Sequence, residues 1–587
     1  MFDSSEDEIL SEDEILVVEI NNSDYIRQSK PISIFREAFT GCENLSEVKL
    51  PEGIEAIGEL AFEGCFNLKK VNIPNSVRVI RMGAFNDCIN LTSIVLPNGL
   101  TEIGRSAFDS CSSLTSITIP DSVKKIGDSA FARCTSLTSV AIPDSVTEIG
   151  DSVFSYCIKL NPVFIKGKLV AWPSAAGDIT IPNDVTEIGA HAFEGCSSLT
   201  SVVIPDSVKK IGDNAFEGCS SLTSVAIPKS VTEIGDSAFE GCSALTSVAI
   251  PDSITKIGAC VFDRCSALTS VVIPDSVTEI GEMAFKDCSG LTSVTIPDSV
   301  TEIGNAAFVG CRGLNNPILV KNKLIAWPNA TGDVTIPKGV TEIGDSAFRG
   351  CLAMTRVEIP EGVTKIGSLS FADCTGLTSI EFPEEGLTEI GRSAFNNCSA
   401  LRSVYLHEGL TEIDGSAFTG CSALSRVSIP DSVQKIGYGA FSRCASLTNI
   451  DIPANVTEIR DSAFADCTGL ASVTIPKSVT EIDQSTFRCC TSLTSIAIPE
   501  GITSIGTAAF AGCTGLTSVT IPNSVMEIGR YAFGNCTGLT SVTIPNGVTS
   551  IVDKAFADCA SLTNAKVPEQ TKLGVSAFPD SCMISRY

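Results

Sequence analysis

Any chemistry in this chain would have to come from its cysteines, its two histidines and its carboxylates. It carries 25 cysteines in 587 residues, and they do not cluster. Most of them keep one register, running Cys42 to Cys157, Cys196 to Cys311 and Cys351 to Cys582. The step is 23 residues, except for 39 after Cys157, 40 after Cys311 and 24 after Cys374. Spacing this even leaves no Cys-x-x-Cys zinc site. His191 and His407 are far apart, which removes histidine-based triads and paired-histidine zinc sites. His191 directly precedes Ala192-Phe193 and reads as a solvated turn residue. No glycine-rich phosphate or dinucleotide motif occurs. The expectation is a non-enzyme with no catalytic residue, cofactor or metal ligand.

The elements behind that register are short. Phe sits three residues before the repeat cysteines from Phe39 to Phe556, slipping to four at Phe578. The unit is cleanest at Cys219–Gly241. Val225 and Ile227 are two apart, the period of a strand with one buried face. Pro228 ends that strand, because proline cannot donate to a ladder. Val231 and Ile234 point inward again, with Gly235 at a bend. Ala238, Phe239 and Cys242 have the spacing of a single helical or 3₁₀ turn. No such coil can bury its apolar edge alone. Stacking coils at roughly 4.8 Å sets like on like. The repeat cysteines then become a ladder of small buried thiols. Their Cα–Cβ vectors run nearly parallel, which suits the disulfide torsion of about 90° poorly. Cys260 and Cys489 lie off the register and are the expected exposed thiols.

The pattern Leu222-x-x-Val225-x-Ile227-Pro228, Val231-x-x-Ile234-Gly235, Ala238-Phe239-x-x-Cys242 resembles the BspA-type leucine-rich repeat, a family of bacterial surface proteins and some protist proteins. The resemblance runs from about residue 40 to residue 582. It implies a leucine-rich-repeat solenoid, β-rich with short 3₁₀ or helical turns, whose Leu-x-x-Val-x-Ile strands line a concave side. About 23 coils of 23 residues would then form one elongated, curved domain. The resemblance implies little about function, since the family includes adhesins.

The expected organisation is an acidic, disordered tail at 1–16, a degenerate cap coil at 17–41, the solenoid at 42–562 and a closing cap at 563–587. The tail repeats Ser-Glu-Asp-Glu-Ile-Leu, and its acid-flanked Ser5 and Ser11 are candidate phosphorylation sites. Two related segments interrupt the array near 161–178 and 316–333. Each reads as a β-hairpin with Lys-Gly or Lys-Asn at its turn. They carry Trp172 and Trp327, read either as filler over a wider coil or as aromatic anchors for a partner. Each adds 16 or 17 residues to one step, and the flanking coils resume in register.

Net charge is −27, from 68 acids and 41 bases. Nucleic acid is therefore an unsuitable partner. Much of the acid stacks: Glu102, Glu148, Glu187, Glu233, Glu279 and Glu302 all precede the second-strand Ile. Lys125, Lys210, Lys256, Lys365 and Lys435 interrupt that row and relieve its repulsion. No run of 18 apolar residues exists to span a membrane. Met1–Leu16 lacks the basic and apolar regions of a signal peptide. With so many free thiols, the expected compartment is the cytoplasm. The alternative is the cell surface, or secretion by an unconventional route.

One stretch varies chemically. Between Cys351 and Pro453 the outward position between the strand Val and Ile becomes Glu358, Glu381, Tyr405, Ser428 and Asp451. Arg356, Arg402 and Arg426 lie nearby, and His407 replaces the strand-ending Pro. Sparse charge plus a Tyr on a rigid strand face is how repeat proteins recognise partners. The expected function is a non-catalytic, acidic scaffold for a protein partner, possibly a basic one. The alternatives are a surface or secreted adhesin and a structural component of a fibre or cytoskeletal assembly. Sequence leaves the oligomeric state open.

Overall fold

The computed structural model describes residues 16–19, 26–27 and 33–587. Residues 1–15, with Ser5 and Ser11, lie outside the described residues, as does much of the expected cap coil. The chain divides into two compact units, Met1–Ala307 and Phe308–Tyr587, each an array of the same coil.

In the coil containing Phe239, strand Ser224–Ala226 buries Val225 and exposes its neighbours. Strand Glu233–Ile234 follows, with Val231 and Ile234 buried. Both strands pair in parallel with their equivalents, as Val225↔Val248 and Ile211↔Ile234 show. Each coil thus contributes one strand to each of two parallel ladders, and the apolar side chains between them form the core. That core includes Leu222, Val231, Ala238, Phe239 and Cys242, all fully buried. Threonines add to the ladders: Thr246 Oγ1 donates to the Thr223 carbonyl at 3.2 Å, one coil back.

The segment leading to the cysteine is not helical. The N–H groups of Ser237, Phe239 and Gly241 donate to the carbonyls of Ala259, Val261 and Asp263 in the next coil, at 2.8–2.9 Å. Those of Glu240 and Cys242 close local turns onto Ser237 and Phe239. Ser237 and Gly241 adopt the left-handed conformation, with φ of 55° and 71°. Consecutive β-turns with alternate amides aimed along the stack replace the expected 3₁₀ or helical turn. The reason is dimensional. A helix is about 10–12 Å across and keeps its amide bonds to itself. The coils stack far more closely: successive Phe rings lie 4.8–5.7 Å apart, for instance Phe216–Phe239 at 5.2 Å and 2° from parallel.

The thiols do more than fill space. Cys242 Sγ donates to the Phe216 carbonyl at 3.2 Å, and the same bond recurs from Cys65 to Phe39 and from Cys559 to Phe533. All 25 cysteines are free, and the in-register ones from Cys65 to Cys559 are buried. Cys260 and Cys489 are half-buried, more open than the buried ladder as expected, but the exposed thiol is the in-register Cys42. Cys42 is the first cysteine of the register.

The two hairpins are built into the stack. Val163–Ile165 pairs antiparallel with Lys168–Ala171, which pairs in parallel with Glu187–Ile188. Ile318–Val320, Lys323–Ala326 and Glu342–Ile343 repeat this arrangement. Lys166 and Gly167 turn the first hairpin with φ of 47° and 77°, the two positive angles of a type I′ turn. At the carboxyl end, Asn564–Val567 pairs with Met583–Arg586, and the Tyr587 hydroxyl donates to the Ile544 carbonyl at 2.7 Å.

Candidate protein-binding surface

The chemically varied residues stand on the first-strand ladder of the second unit. Strand Met354–Glu358 pairs with Ser379–Glu381, setting Arg356 beside Ser379 and Glu358 beside Glu381. Val357 and Ile380 alternate with them into the core, so the polar side chains face out. Two carboxylates in register repel. Arg356 Nη2 relieves this by reaching Glu381 Oε1 at 2.6 Å. Both groups are largely solvated, so the pair adds little stability.

The next two strands form a second pairing, Ser403↔Arg426 and Tyr405↔Ser428. The break between the pairings coincides with the 24-residue step after Cys374. Tyr405 is 51% exposed while Val404 beneath it is fully buried. Arg402 and Arg426 are exposed, and His407 is half-buried at the strand end. Arg402 occupies the threonine column, one place before the strand. Asp451 is exposed on Asn449–Asp451, which pairs with Ser472–Thr474. The structure therefore groups Arg356, Glu358 and Glu381, then Tyr405, Arg402 and Arg426, with Asp451 further along.

Trp172 and Trp327 lie elsewhere, at the positions Phe occupies in ordinary coils. Trp172 stacks on Phe193 and Trp327 on Phe348, each 6.0 Å apart and tilted by 32° and 33°. Cys196 and Cys351 donate their thiols to the two Trp carbonyls, as other cysteines do to Phe. Trp327 Nε1 donates to the Asn315 carbonyl at 3.0 Å. The hairpins' exposed apolar side chains are instead Phe164 and Leu319. Strand alternation within each hairpin was the available signal for these.

The glutamate row is relieved as its lysines suggested. Lys125 sits 3.9 Å from Glu102 and 3.8 Å from Glu148, and Lys210 lies 2.6 Å from Glu233. The hairpin lysines join this row, Lys168 to Glu187 at 2.9 Å and Lys323 to Glu342 at 2.7 Å.

Two features of the first unit were not visible in the sequence. One is a cleft of about 780 Å³ where Glu148–Ile149 ends one ladder and the hairpin starts the next. Arg105, Lys125, Lys166 and Lys168 line it together with Asp128 and Glu148. The antiparallel first strand of the hairpin cannot continue a parallel register, which accounts for the gap. The other feature is on the turns. His191, expected to be solvated, is half-buried, with Nδ1 3.1 Å from Glu194 Oε2. Ser155 Oγ also donates to Glu194. The hydrogen bond to Glu194 raises the His191 pKa, against the effect of burial. Burial pushes Glu194 up, but the bonds from His191 and Ser155 outweigh it and leave the carboxyl lowered.

The profile of the BspA type leucine rich repeat region matches residues 32–161, 165–292, 329–444, 411–525 and 480–586. The chain belongs to the BspA-type leucine-rich repeat family. No curated protein matches it. Among solved structures, a leucine rich cell surface protein from Faecalibacterium prausnitzii A2-165 is 28% identical, over 62% of this chain and 87% of its own, with a TM-score of 0.32. A leucine-rich repeat protein from Bacteroides ovatus ATCC 8483 is 23% identical, over 97% and 92%, with a TM-score of 0.20. The pneumococcal vaccine antigen PcpA is 20% identical, over 70% and 88%, with a TM-score of 0.36. Among the described residues, no helix is long and apolar enough to cross a membrane.

Proposed function

We propose that this repeat protein is a non-catalytic scaffold that binds a protein partner through the outward strand face between Arg356 and Asp451. The observation that carries the reading is Tyr405, displayed on a strand whose adjacent Val404 is fully buried, with exposed Arg402 three residues earlier in the chain and exposed Arg426 two residues before Ser428, its partner on the next strand. Ladder hydrogen bonds already fix that backbone, so little ordering remains to be lost on binding. Tyr and Arg are the residues that most often dominate interfaces. A net charge of −27, with Glu358, Glu381 and Asp451 on the same face, suits a basic partner. The test is partner binding by the Arg402→Ala/Tyr405→Ala variant against wild type; undiminished binding rejects this surface.

A second reading, an adhesin displayed on or released from the cell, is favoured by the state of the thiols. The cytoplasmic expectation rested on their number. Burial withholds the in-register thiols from oxidants, and it pushes Cys242 and Cys421 up to about 12. Thiolates, not thiols, are the reactive species, so a buried, protonated ladder of this kind does not itself require a reducing compartment. Protease shaving of intact cells separates the readings: cleavage of the chain supports display, and full protection supports an internal scaffold.

A further inference from the structure

Four successive coils of the first unit place a carboxylate two residues before their cysteine: Glu194, Glu217, Glu240 and Asp263. Five residues before the same cysteines stand His191, Asn214, Ser237 and Cys260, all left-handed with φ of 54–57°. In three of these coils the earlier residue satisfies the carboxylate. His191 Nδ1 meets Glu194 at 3.1 Å, Asn214 Nδ2 donates to Glu217 at 2.6 Å, and Ser237 Oγ donates to Glu240 at 2.9 Å.

The fourth coil breaks the rule. Cys260 replaces the hydrogen-bond donor, and Asp263 is only 3% exposed with its Oδ1 lacking any hydrogen-bond partner. A buried carboxylate oxygen left unpaired is costly. Lys286 compensates weakly: its Nζ is 3.6 Å from Oδ2 and is closer, at 3.0 Å, to Asp287. The Asp263 amide donates to the Cys260 carbonyl at 3.0 Å, and the Gly241 amide donates to the Asp263 carbonyl at 2.8 Å. Those two bonds bring Glu240, Cys260 and Asp263 together, with one ligand atom from each within 4.8 Å of the others.

We propose that Glu240, Cys260 and Asp263 form a binding site for a thiophilic divalent cation of the zinc class. A soft sulfur beside two carboxylate oxygens is a donor set that Zn²⁺ accepts, whereas Mg²⁺ and Ca²⁺ take oxygen ligands alone. Three protein ligands leave a fourth position for water, as tetrahedral zinc requires. On binding, the Cys260 thiol gives up its proton to solvent and the thiolate coordinates. Coordination gives the buried Asp263 carboxylate a cationic partner and replaces the Arg264 contact of Glu240, now 3.3 Å from its Oε1, while Lys286 keeps its contact with Asp287.

The test uses the full chain and Co²⁺, whose thiolate complexes absorb by sulfur-to-metal charge transfer, followed by displacement with Zn²⁺. The expected result is one equivalent of Co²⁺ with a charge-transfer band that Zn²⁺ abolishes and excess Mg²⁺ does not. Cys260→Ser, which restores the residue found at Ser237, should fold normally and lose the band. Asp263→Asn should weaken binding at least tenfold, since losing even an outer-shell partner costs about 10–100-fold. Cys42→Ser, Cys489→Ser and His191→Ala should leave the charge-transfer band unchanged. Circular dichroism of each variant confirms its fold. Absence of the band in wild type, its persistence in Cys260→Ser, or its loss in His191→Ala overturns the assignment.

Discussion

Replacing Phe239 by Ala removes one rung of the aromatic ladder. Its ring is fully buried, 5.2 Å from Phe216 and 5.6 Å from Phe262. Truncating a buried Phe costs about 3–5 kcal/mol in lost transfer energy and residual cavity. The two ring contacts, at about 0.5–1.5 kcal/mol each, account for about 1–3 kcal/mol of that. Phe239→Leu keeps most of the buried volume, so it should lose mainly the stacking share. The damage should also be local, because turn amides and rings bond only to adjacent coils. Hydrogen exchange read by mass spectrometry along a urea series measures both quantities. Protection should fall around residues 214–265 and persist elsewhere. A loss under about 1 kcal/mol for the alanine variant, or an equal loss of protection in every coil, refutes the nearest-neighbour reasoning.

Other outcomes follow from the same geometry. Thiol titration without reductant should return all 25 cysteines after denaturation but, in the native protein, react first at Cys42 and later at Cys260, Cys489 and Cys582. Trp172→Phe should be tolerated because Trp172 already stands where Phe does, whereas Trp172→Ala should destabilise the chain, by less than the loss of about 3–5 kcal/mol for a fully buried aromatic because Trp172 is half-buried, read from urea midpoints. The His191–Glu194 pair should give a pH window. His191 is raised, so its contribution is complete below its ordinary 6.5 and lost as pH climbs through the folded value. Glu194 is lowered, so its contribution is present above its ordinary 4.5 and lost as pH falls through the folded value. The stability gap between wild type and His191→Gln should therefore be widest between those two ordinary values and close above the imidazole titration.

The coil was legible because each apolar slot serves one structural purpose. Val225, Ile227, Val231 and Ile234 alternate as strand residues must, and Pro228 marks where the ladder stops. The turn was misread because Ala-Phe-x-x-Cys gives the same spacing in a helical turn as in two successive β-turns. Only the direction of the Phe239 amide, out to Val261, separates the two. The hairpins were legible from Lys166-Gly167, but Trp172 could not be matched to the Phe slot since no cysteine follows it three residues later. The outward direction of Glu358 and Tyr405 came from strand alternation. Their partners did not, because the Arg356–Glu381 contact depends on register between coils. His191 and Cys260 escaped for a related reason: a left-handed turn residue faces the carboxylate three places on, and nothing in the sequence shows that turn.

The central claim is that the strand face around Tyr405 engages a protein. The direct measurement is the affinity of the wild-type chain and of the Arg402→Ala/Tyr405→Ala variant for the partner that wild type captures, at low and moderate salt. Two interface anchors worth about 2 kcal/mol or more each predict a loss of roughly a thousandfold if they add, and of no less than about a hundredfold if they are partly redundant. Wild-type binding should survive moderate salt, because packing on a rigid face is screened less than exposed charge. Full binding by the double variant, combined with loss of binding on deleting residues 2–16 or on adding salt, would contradict the claim and assign recognition to the acidic segment instead.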